Sequence, residues 1–227
     1  MKRRVCAALP SLAVLLVLTS CTKPDAGSPP PDTTTPGGSV QQQSSLFVQS
    51  ASNTNEHDFS TNDPAYWGIN GFTLWALPSS FPVQAPFSTR DVTVVKGSGD
   101  GYAGYGIVFC SYDTGSSPAV ETFLLVMINT QQQYSVGEVT GSSYTPYTTS
   151  TWVSSSYLAK GYGVTNHVVI TRNGTGLFAL SLNSQQVMTF RDGRTPTQTG
   201  GADGYLVVIS PQDSFPQTPV SVTFTEN

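Results

Sequence analysis

The chain has 227 residues, of which 38% are hydrophobic and 11% charged, and its formal net charge at pH 7 is −4. With only 10 Lys and Arg residues it lacks the clustered cations that phosphate binding requires, so nucleic acid is excluded as an expected partner. The length is sufficient for one domain with a sizeable hydrophobic core.

Residues 1–20 have the layout of a secretory signal peptide. Three basic residues at positions 2–4 precede an apolar run that is too short to span a bilayer. The segment closes on LTSC, which resembles the lipobox of bacterial lipoproteins. The resemblance implies that Cys21 carries diacylglycerol and acyl chains such as palmitate, and becomes the mature N-terminus. An ordinary signal peptide followed by an unrelated cysteine is the alternative.

The lipobox resemblance also implies a location. It places the protein in the bacterial cell envelope, where the lipid anchor makes the membrane a partner. Thr22 stands where an aspartate usually marks inner-membrane retention, so an outer-membrane destination is favoured in a cell that has one. Without the signal peptide, seven basic residues remain against fourteen acidic ones, which gives the mature side chains a charge of about −7.

Residues 21–45 are expected to form a disordered tether. After Cys21 the sequence reads TKPDAGSPPPDTTTPGGSVQQQSS, which has almost no large apolar side chains and cannot offset the entropy of becoming ordered. Of the three cysteines, only Cys110 is left to the domain beyond the tether, so no internal disulfide is expected. Cys110 ends an apolar run and is interpreted as a buried small hydrophobe.

Residues 46–227 are expected to fold as one antiparallel β-sandwich. Short β-prone runs such as VTVVK, GYGIVFC, TFLLVMIN and NHVVITRN alternate with turn signals such as NGTG, DGR and GGADG. The run FLLVMI is apolar throughout, which indicates a strand covered on both faces or one that lines a groove.

The glycine-rich run GSGDGYAGYGIVF contains G-x-G-x-x-G at Gly99, Gly101 and Gly104, but the aromatic and β-branched residues after it predict a strand in place of the helix that a dinucleotide site needs. We therefore expect these glycines to form the turn of a hairpin that joins Asp91–Val95 to Tyr102–Cys110.

The order of these runs resembles the concanavalin A-like, laminin-G-like jelly roll over residues 59 to 224. Trp152 before GYGVTNHVVI and the late strand GYLVVIS match framework positions of that family, while Asn183-Ser184 stands where Asn-Gly is usual and leaves the turn type open. The resemblance implies two facing antiparallel sheets. It also leaves calcium open as a cofactor at Asp113 or Asp203 and is otherwise consistent with no cofactor.

Catalysis is not expected. A retaining glycosidase needs two carboxyl groups about 5 Å apart, and the Glu-x-Asp-x-x-Glu run of the glucanases with this fold is missing from the sequence. Glu121 and Glu138 stand alone in strands and Asp192 lies in a turn, although acids that are distant in sequence can converge. The run NEHDF is interpreted as a solvated loop. Two separate histidines without a cysteine set do not predict a zinc site, and no G-x-S-x-G motif occurs.

The stretch SSYTPYTTSTWVSSSYLAKGYG combines aromatic rings with many hydroxyls, a composition that suits a glycan. The candidate ligand-binding residues are Tyr144, Tyr147, Trp152 and Tyr157. Because Trp152 and Tyr157 also match framework positions, Tyr144 and Tyr147 are expected to be the more exposed pair.

The predicted function is therefore a lipid-anchored, non-catalytic binding module of the cell envelope, which recognises glycan or an envelope protein through a sheet face and aromatic rim loops. The alternatives are a glycoside hydrolase of the same fold and a structural or protein-interaction lipoprotein.

Overall fold

The structure is a computed structural model. It describes residues 46–63, 73–76, 88–113, 115, 120–141, 143–194, 202–210, 212–214 and 217–227, and for 73–76, 113 and 202 the backbone only. The predicted signal peptide and tether lie outside the described residues, and those predictions stay predictions.

The described chain folds as two antiparallel sheets, which confirms the predicted all-β sandwich. Each sheet contains seven strands. Within the described ranges no helix has the length and apolar character needed to cross a membrane.

The strands of sheet 1 are β1 (Phe47–Gln49), β2 (Glu56–Thr61), β4 (Thr89–Ser98), β10 (Thr165–Gly174), β11 (Leu177–Leu182), β12 (Gln185–Arg191) and β14 (Val220–Glu226). Those of sheet 2 are β3 (Thr73–Ala76), β5 (Tyr105–Asp113), β6 (Glu121–Ile128), β7 (Gln133–Thr140), β8 (Ser143–Pro146), β9 (Val153–Ser154) and β13 (Ala202–Val207). Sheet 1 has the strand order β1-β2-β14-β4-β10-β11-β12, and sheet 2 has the order β3-β13-β5-β6-β7-β8, with β9 paired to β7.

Alternating side chains of both sheets meet in the main core. In β10, Val168 and Ile170 point inward and are fully buried, while His167 points outward. Opposite them, alternate residues of β6 such as Leu124 and Val126 belong to the same core. The sandwich is thus built on the period of two that the sequence shows.

A second apolar cluster lies on the outward face of sheet 2. Phe123, Leu125 and Met127, the other alternate residues of β6, are at most 7% exposed and pack with Val139 and Leu206. The run FLLVMI is therefore buried on both faces, which agrees with the first of its two predicted interpretations.

The glycine-rich run does not form the predicted hairpin. Both expected strands exist, but β4 belongs to sheet 1 and β5 to sheet 2, so the turn 99–104 carries the chain from one sheet to the other. β4 pairs with β10 and β14 instead. Alternation determines which face of a strand is buried but not which strand becomes its partner, and this explains the error.

The NEHDF run is not the solvated loop that the sequence predicts. Its residues from Glu56 onward belong to β2, where the buried His57 points inward and Glu56 and Asp58 flank it on the outward side. Burial lowers the pKa of His57, against the opposing effect of the Glu226 carboxylate.

Arg90 closes one end of the core. Its side chain is buried, and its guanidinium donates to Glu226 Oε1 at 2.7 and 3.1 Å and to the carbonyls of Val108 and Gly204 at 3.1 and 3.2 Å. The hydroxyl of Tyr205 donates to the same Glu226 oxygen at 2.7 Å. Because Arg90 and Glu226 belong to sheet 1 and the other three residues to sheet 2, this cation joins the two sheets.

Lys96 closes the opposite end, six residues further along β4. Its side chain is buried, and Nζ donates to the carbonyls of Asp100 at 2.6 Å and Ala103 at 3.1 Å, with the ring of Tyr105 at 5.5 Å. Burial lowers the pKa of Lys96 to about 8, and Asp213 and Asp100 oppose that shift. The ammonium therefore binds the turn 99–104 from the core side and stabilises it.

We predict that Glu226→Ala destabilises the protein by about 3 kcal/mol, because it leaves Arg90 buried without its counter-charge. Urea denaturation followed by tryptophan fluorescence measures the change. Asn227→Ala is the matched control: it removes surface hydrogen bonds to Asp91 and Thr93 and is expected to cost about 1 kcal/mol or less. Equal losses in the two variants would contradict the assigned role of the Arg90–Glu226 pair.

Candidate functional site

Three connections meet at the Lys96 end of the sandwich, and we call them together the loop end. They are the turn 99–104, the turn 129–132 and the loop 155–164. Thr130 N donates to Gly101 O at 3.1 Å and Gly161 N donates to Thr130 O at 3.0 Å, so backbone hydrogen bonds link all three. The loop 155–164 crosses this end from β9 in sheet 2 to β10 in sheet 1.

Side-chain amides hold the loop 155–164 in place. Gln132 Nε2 donates to Leu158 O at 2.6 Å, and the carbonyl of Gln132 accepts from Ser155 N at 2.8 Å. Asn166 accepts from Ala159 N at 2.8 Å and donates to Ala159 O at 3.2 Å. These bonds satisfy backbone groups that a loop without strand pairing would leave unpaired.

Asn183 completes this set from the turn between β11 and β12. Its Nδ2 donates to Tyr157 O at 2.7 Å and to Asn166 Oδ1 at 2.9 Å, and its Oδ1 accepts from His167 N at 2.7 Å. Asn183 and Ser184 have φ values of 47° and 70°. Both central residues are therefore left-handed, as a type I′ turn requires, and asparagine tolerates that conformation.

A groove of about 280 Å³ lies beside this loop, at the edge of the sandwich between β9 and β12. Its walls are formed by Tyr134, Ser154, Ser155, Ser156, Tyr157, Gln186 and Val187. Tyr134 is buried and forms part of one wall, whereas Tyr157 is 51% exposed. No charged side chain is among these lining residues.

The groove presents polar groups that the protein does not use. Within the described part of the chain, the hydroxyls of Ser154 and Ser156 and the amide of Gln186 form no hydrogen bond, and all three side chains are exposed. Next to them stands the ring of Tyr157, whose backbone is fixed by Asn183. An exposed aromatic plane beside uncommitted donors and acceptors can bind a ligand that has both apolar and hydroxyl-bearing faces.

The four predicted ligand-binding residues do not share one surface. Tyr144 and Trp152 are half-buried and pack on the apolar cluster outside sheet 2. Tyr147 packs on the main core, donates to Glu138 Oε2 and accepts from Gly193 N at 2.9 Å. The expectation that Tyr144 and Tyr147 are the most exposed of the four is therefore wrong, and Tyr157 is the exposed one.

The sheet faces are less open than predicted. On sheet 2, the outward side chains around Phe123 and Leu125 are buried. The outward face of sheet 1 is polar, with residues such as Asp91, Thr93 and His167, where Thr93 Oγ1 and His167 Nδ1 lie 3.3 Å apart. The groove lies at the rim of the sandwich and not on a sheet face.

The three acids considered for hydrolysis occupy different surroundings. Asp192 is buried in a two-oxygen ion pair with Arg194, with donor distances of 2.9 Å. Glu138 accepts from Tyr147, whose pKa is raised by burial and by that hydrogen bond. Glu121 accepts from Ser111 Oγ at 2.6 Å. β6 and β7 pair with Leu124 opposite Glu138, so alternation places Glu121 and Glu138 on opposite faces of sheet 2.

Asp203 and Asp113 are the two residues at which the resemblance leaves calcium open. The carboxylate of Asp203 is buried and accepts from Cys110 N at 2.8 Å, while the side chain of Asp113 lies outside the described residues. Among the described side chains, no group of three or more His, Cys, Asp or Glu is arranged to hold a metal ion. Cys110 is buried, as predicted, and burial raises the pKa of its thiol to about 11.

Sequence reasoning missed Tyr134, Gln186 and Val187 as groove residues. Ser154 and Ser156 lie within the aromatic stretch that was singled out, but the other three come from β7 and β12. The pairing of β9 with β7, which places Val153 opposite Tyr134, brings Tyr134 beside the loop. Gln186 and Val187 come from β12, the edge strand of sheet 1. No local signal in the sequence marks that pairing.

No protein-family model matches the sequence, and no curated protein sequence matches it. Among solved structures, the carbohydrate binding module CBM66 from Bacillus subtilis is similar, with 10% identity over 79% of this chain and 87% of that one and a TM-score of 0.46. The Caenorhabditis elegans galectin LEC-6 has 11% identity over 70% and 98% and a TM-score of 0.40. The alginate lyase PA1167 from Pseudomonas aeruginosa has 14% identity over 83% and 88% and a TM-score of 0.45.

We predict that Asn183→Gly loosens the loop 155–164 while preserving the left-handed turn. The change removes three hydrogen bonds from the Asn183 side chain, so amide hydrogen exchange in residues 155–164 should accelerate, by about tenfold for each 1.4 kcal/mol of lost local stability. Ser184→Gly alters the neighbouring turn position without touching these bonds and serves as the control. Equal exchange rates in both variants would show that Asn183 does not hold the loop.

Proposed function

We propose that this protein is a lipid-anchored, non-catalytic module that binds a neutral glycan in the groove beside Tyr157. The observation that carries the proposal is the exposed ring of Tyr157, fixed through its backbone and flanked by the uncommitted hydroxyls of Ser154 and Ser156 and the amide of Gln186.

Sugar rings match this arrangement chemically. Their C–H faces are apolar and stack on aromatic planes, while their hydroxyls need donors and acceptors around the ring. The groove offers both kinds of contact within about 280 Å³. Because its lining has no cation and the mature chain is acidic, a neutral sugar fits better than an anionic one.

A role without catalysis is supported by the surroundings of the acids. Asp192 is neutralised by Arg194, and Glu138 is engaged by Tyr147 at the core. None of the residues that line the Tyr157 groove is an acid, so the groove provides no carboxyl pair of the kind that glycoside hydrolysis requires.

The lipid anchor and the envelope location are part of the proposal. They rest on the basic start, the apolar run and the LTSC motif that ends at Cys21. Several acyl chains on one cysteine bind a membrane far more firmly than one chain does. The predicted tether 21–45 would then connect the lipid-modified Cys21 to the sandwich.

We predict that Tyr157→Ala weakens glycan binding by about tenfold, which corresponds to about 1.4 kcal/mol of stacking energy. The full chain, purified in detergent, is first screened on a glycan array, and affinities for the bound glycans are then measured by calorimetry. Tyr157→Phe keeps the ring and should bind nearly normally.

Val48→Ala is the control for this experiment, because Val48 is 63% exposed on the far edge strand β1. An unchanged glycan affinity in Tyr157→Ala would show that the binding site is not in the groove. If the full chain binds no glycan but binds a protein of the envelope, the protein-interaction alternative is favoured.

We also predict that Cys21→Ser abolishes acylation and releases the protein from the membrane fraction. Metabolic labelling with a palmitate analogue, followed by fractionation, measures both effects. Cys6→Ser changes a cysteine within the predicted signal peptide and should leave labelling intact. Labelling that persists in Cys21→Ser would rule out the lipobox interpretation.

A further inference from the structure

Two more exposed tyrosines stand on the loop end, beyond the groove. Tyr162, on the loop 155–164, is 48% exposed, and Tyr102, on the turn 99–104, is 67% exposed. With Tyr157 and Val48 they make up the exposed large hydrophobic side chains of the described chain, and all three tyrosines lie on connections that meet at this one end.

Tyr162 is held as a fixed plane. Its hydroxyl donates to Gly99 O at 2.5 Å, and the backbone on either side is bonded through Gly161 N to Thr130 O at 3.0 Å and Gly163 N to Lys96 O at 2.9 Å. The ring is therefore anchored at its polar tip while nearly half of the side chain faces solvent. A ring fixed in this way loses little conformational entropy when a ligand stacks on it.

Gly101 makes room for this arrangement. A Cβ at Gly101 would lie 2.7 Å from Thr130 Oγ1 and 3.2 Å from the Tyr162 hydroxyl, so any larger residue would displace one of them. The glycine-rich run that resembles a nucleotide loop thus serves close packing at the loop end.

The turn that carries Tyr102 is also fixed. Tyr102 N donates to Asp100 Oδ1 at 3.0 Å, and the Lys96 ammonium binds the carbonyls of Asp100 and Ala103 from the core side. Beside this turn lies a polar recess of about 170 Å³. Asp213, which lines it, accepts from Asp100 N at 2.5 Å and from Ser210 N at 2.6 Å and so ties the β13–β14 connection to the turn.

The two tyrosine positions are separated by more than one sugar ring. Tyr157 is bonded to Asn183 at the end of β11, and Tyr162 is bonded to Gly99 just after β4. In sheet 1, β10 lies between β4 and β11, so the two anchor points are about 10 Å apart across the strands. Asn183 follows Leu182, which pairs with Val168, and is therefore level with His167, which pairs with Thr93. Gly99 lies six residues beyond Thr93, which adds about 20 Å along the strand direction.

We infer that the binding site continues from the Tyr157 groove across the loop end to a second subsite at Tyr162 and Tyr102, and that the ligand is a chain of several sugar units. This inference rests on the proposed function. It adds that affinity depends on ligand length, because only a chain reaches both the groove and the second subsite, and the two contacts then act together.

The test compares disaccharides with hexasaccharides of the cello-, xylo- and chito-oligosaccharide series, measured by calorimetry on the full chain in detergent. The hexasaccharide of a series that binds should have at least about tenfold higher affinity than its disaccharide. The double variant Tyr102→Ala/Tyr162→Ala should lower the hexasaccharide affinity to the disaccharide value and leave disaccharide binding unchanged.

Tyr157→Ala should weaken both lengths, and Val48→Ala neither. Equal affinity of disaccharide and hexasaccharide in the unmodified protein would overturn this inference and leave the proposed function standing. A double variant that keeps full hexasaccharide affinity, with an unchanged far-UV spectrum, would also overturn it. Absence of binding in all three series would overturn the proposed function for these glycans and this inference with it.

Discussion

The candidate binding surface depends on how the backbone of the loop 155–164 is satisfied. A segment without strand partners exposes peptide groups that must find donors and acceptors, and here the amide side chains of Gln132, Asn166 and Asn183 supply them. The aromatic residues on the loop are then displayed on a fixed frame. Asn183 can reach Tyr157 because its own backbone takes the left-handed conformation of the β11–β12 turn. The conformation of the β11–β12 turn therefore helps to fix the position of Tyr157 on the surface.

The strand β4 places a buried cation at each end of the sandwich. Its inward positions run from Arg90 through two valines to Lys96, so that a cation closes the core at each end. Arg90 joins the sheets through Glu226 and two carbonyls, and Lys96 holds the turn 99–104. Buried cations of this kind are costly unless every donor is engaged, which favours a single relative placement of the two sheets. The geometry of the loop end depends on that placement of the sheets.

The sequence was sufficient to predict the strands but not to predict which strands pair with each other. The alternating runs predicted strands, and NHVVITRN forms part of β10 with Val168 and Ile170 buried. The period of two, however, is the same for a hairpin and for a passage between sheets. The turn 99–104 was therefore assigned to the wrong connection. At the site, composition selected the stretch from Tyr144 to Tyr162. Which of its rings are exposed depends on tertiary contacts, such as the bond of Tyr147 to Glu138, that no local pattern encodes.

The position of β14 has a kinetic consequence. This strand lies between β2 and β4 in the middle of sheet 1, and its Thr223 binds Asp58, which is 165 residues away along the chain. Pairings between such distant segments form slowly, since a large loop must close before the contact is gained. Sheet 1 cannot be completed until residues 220–226 have left the ribosome. In the export that we propose, this delay would keep the polypeptide unfolded while it passes through a translocation channel.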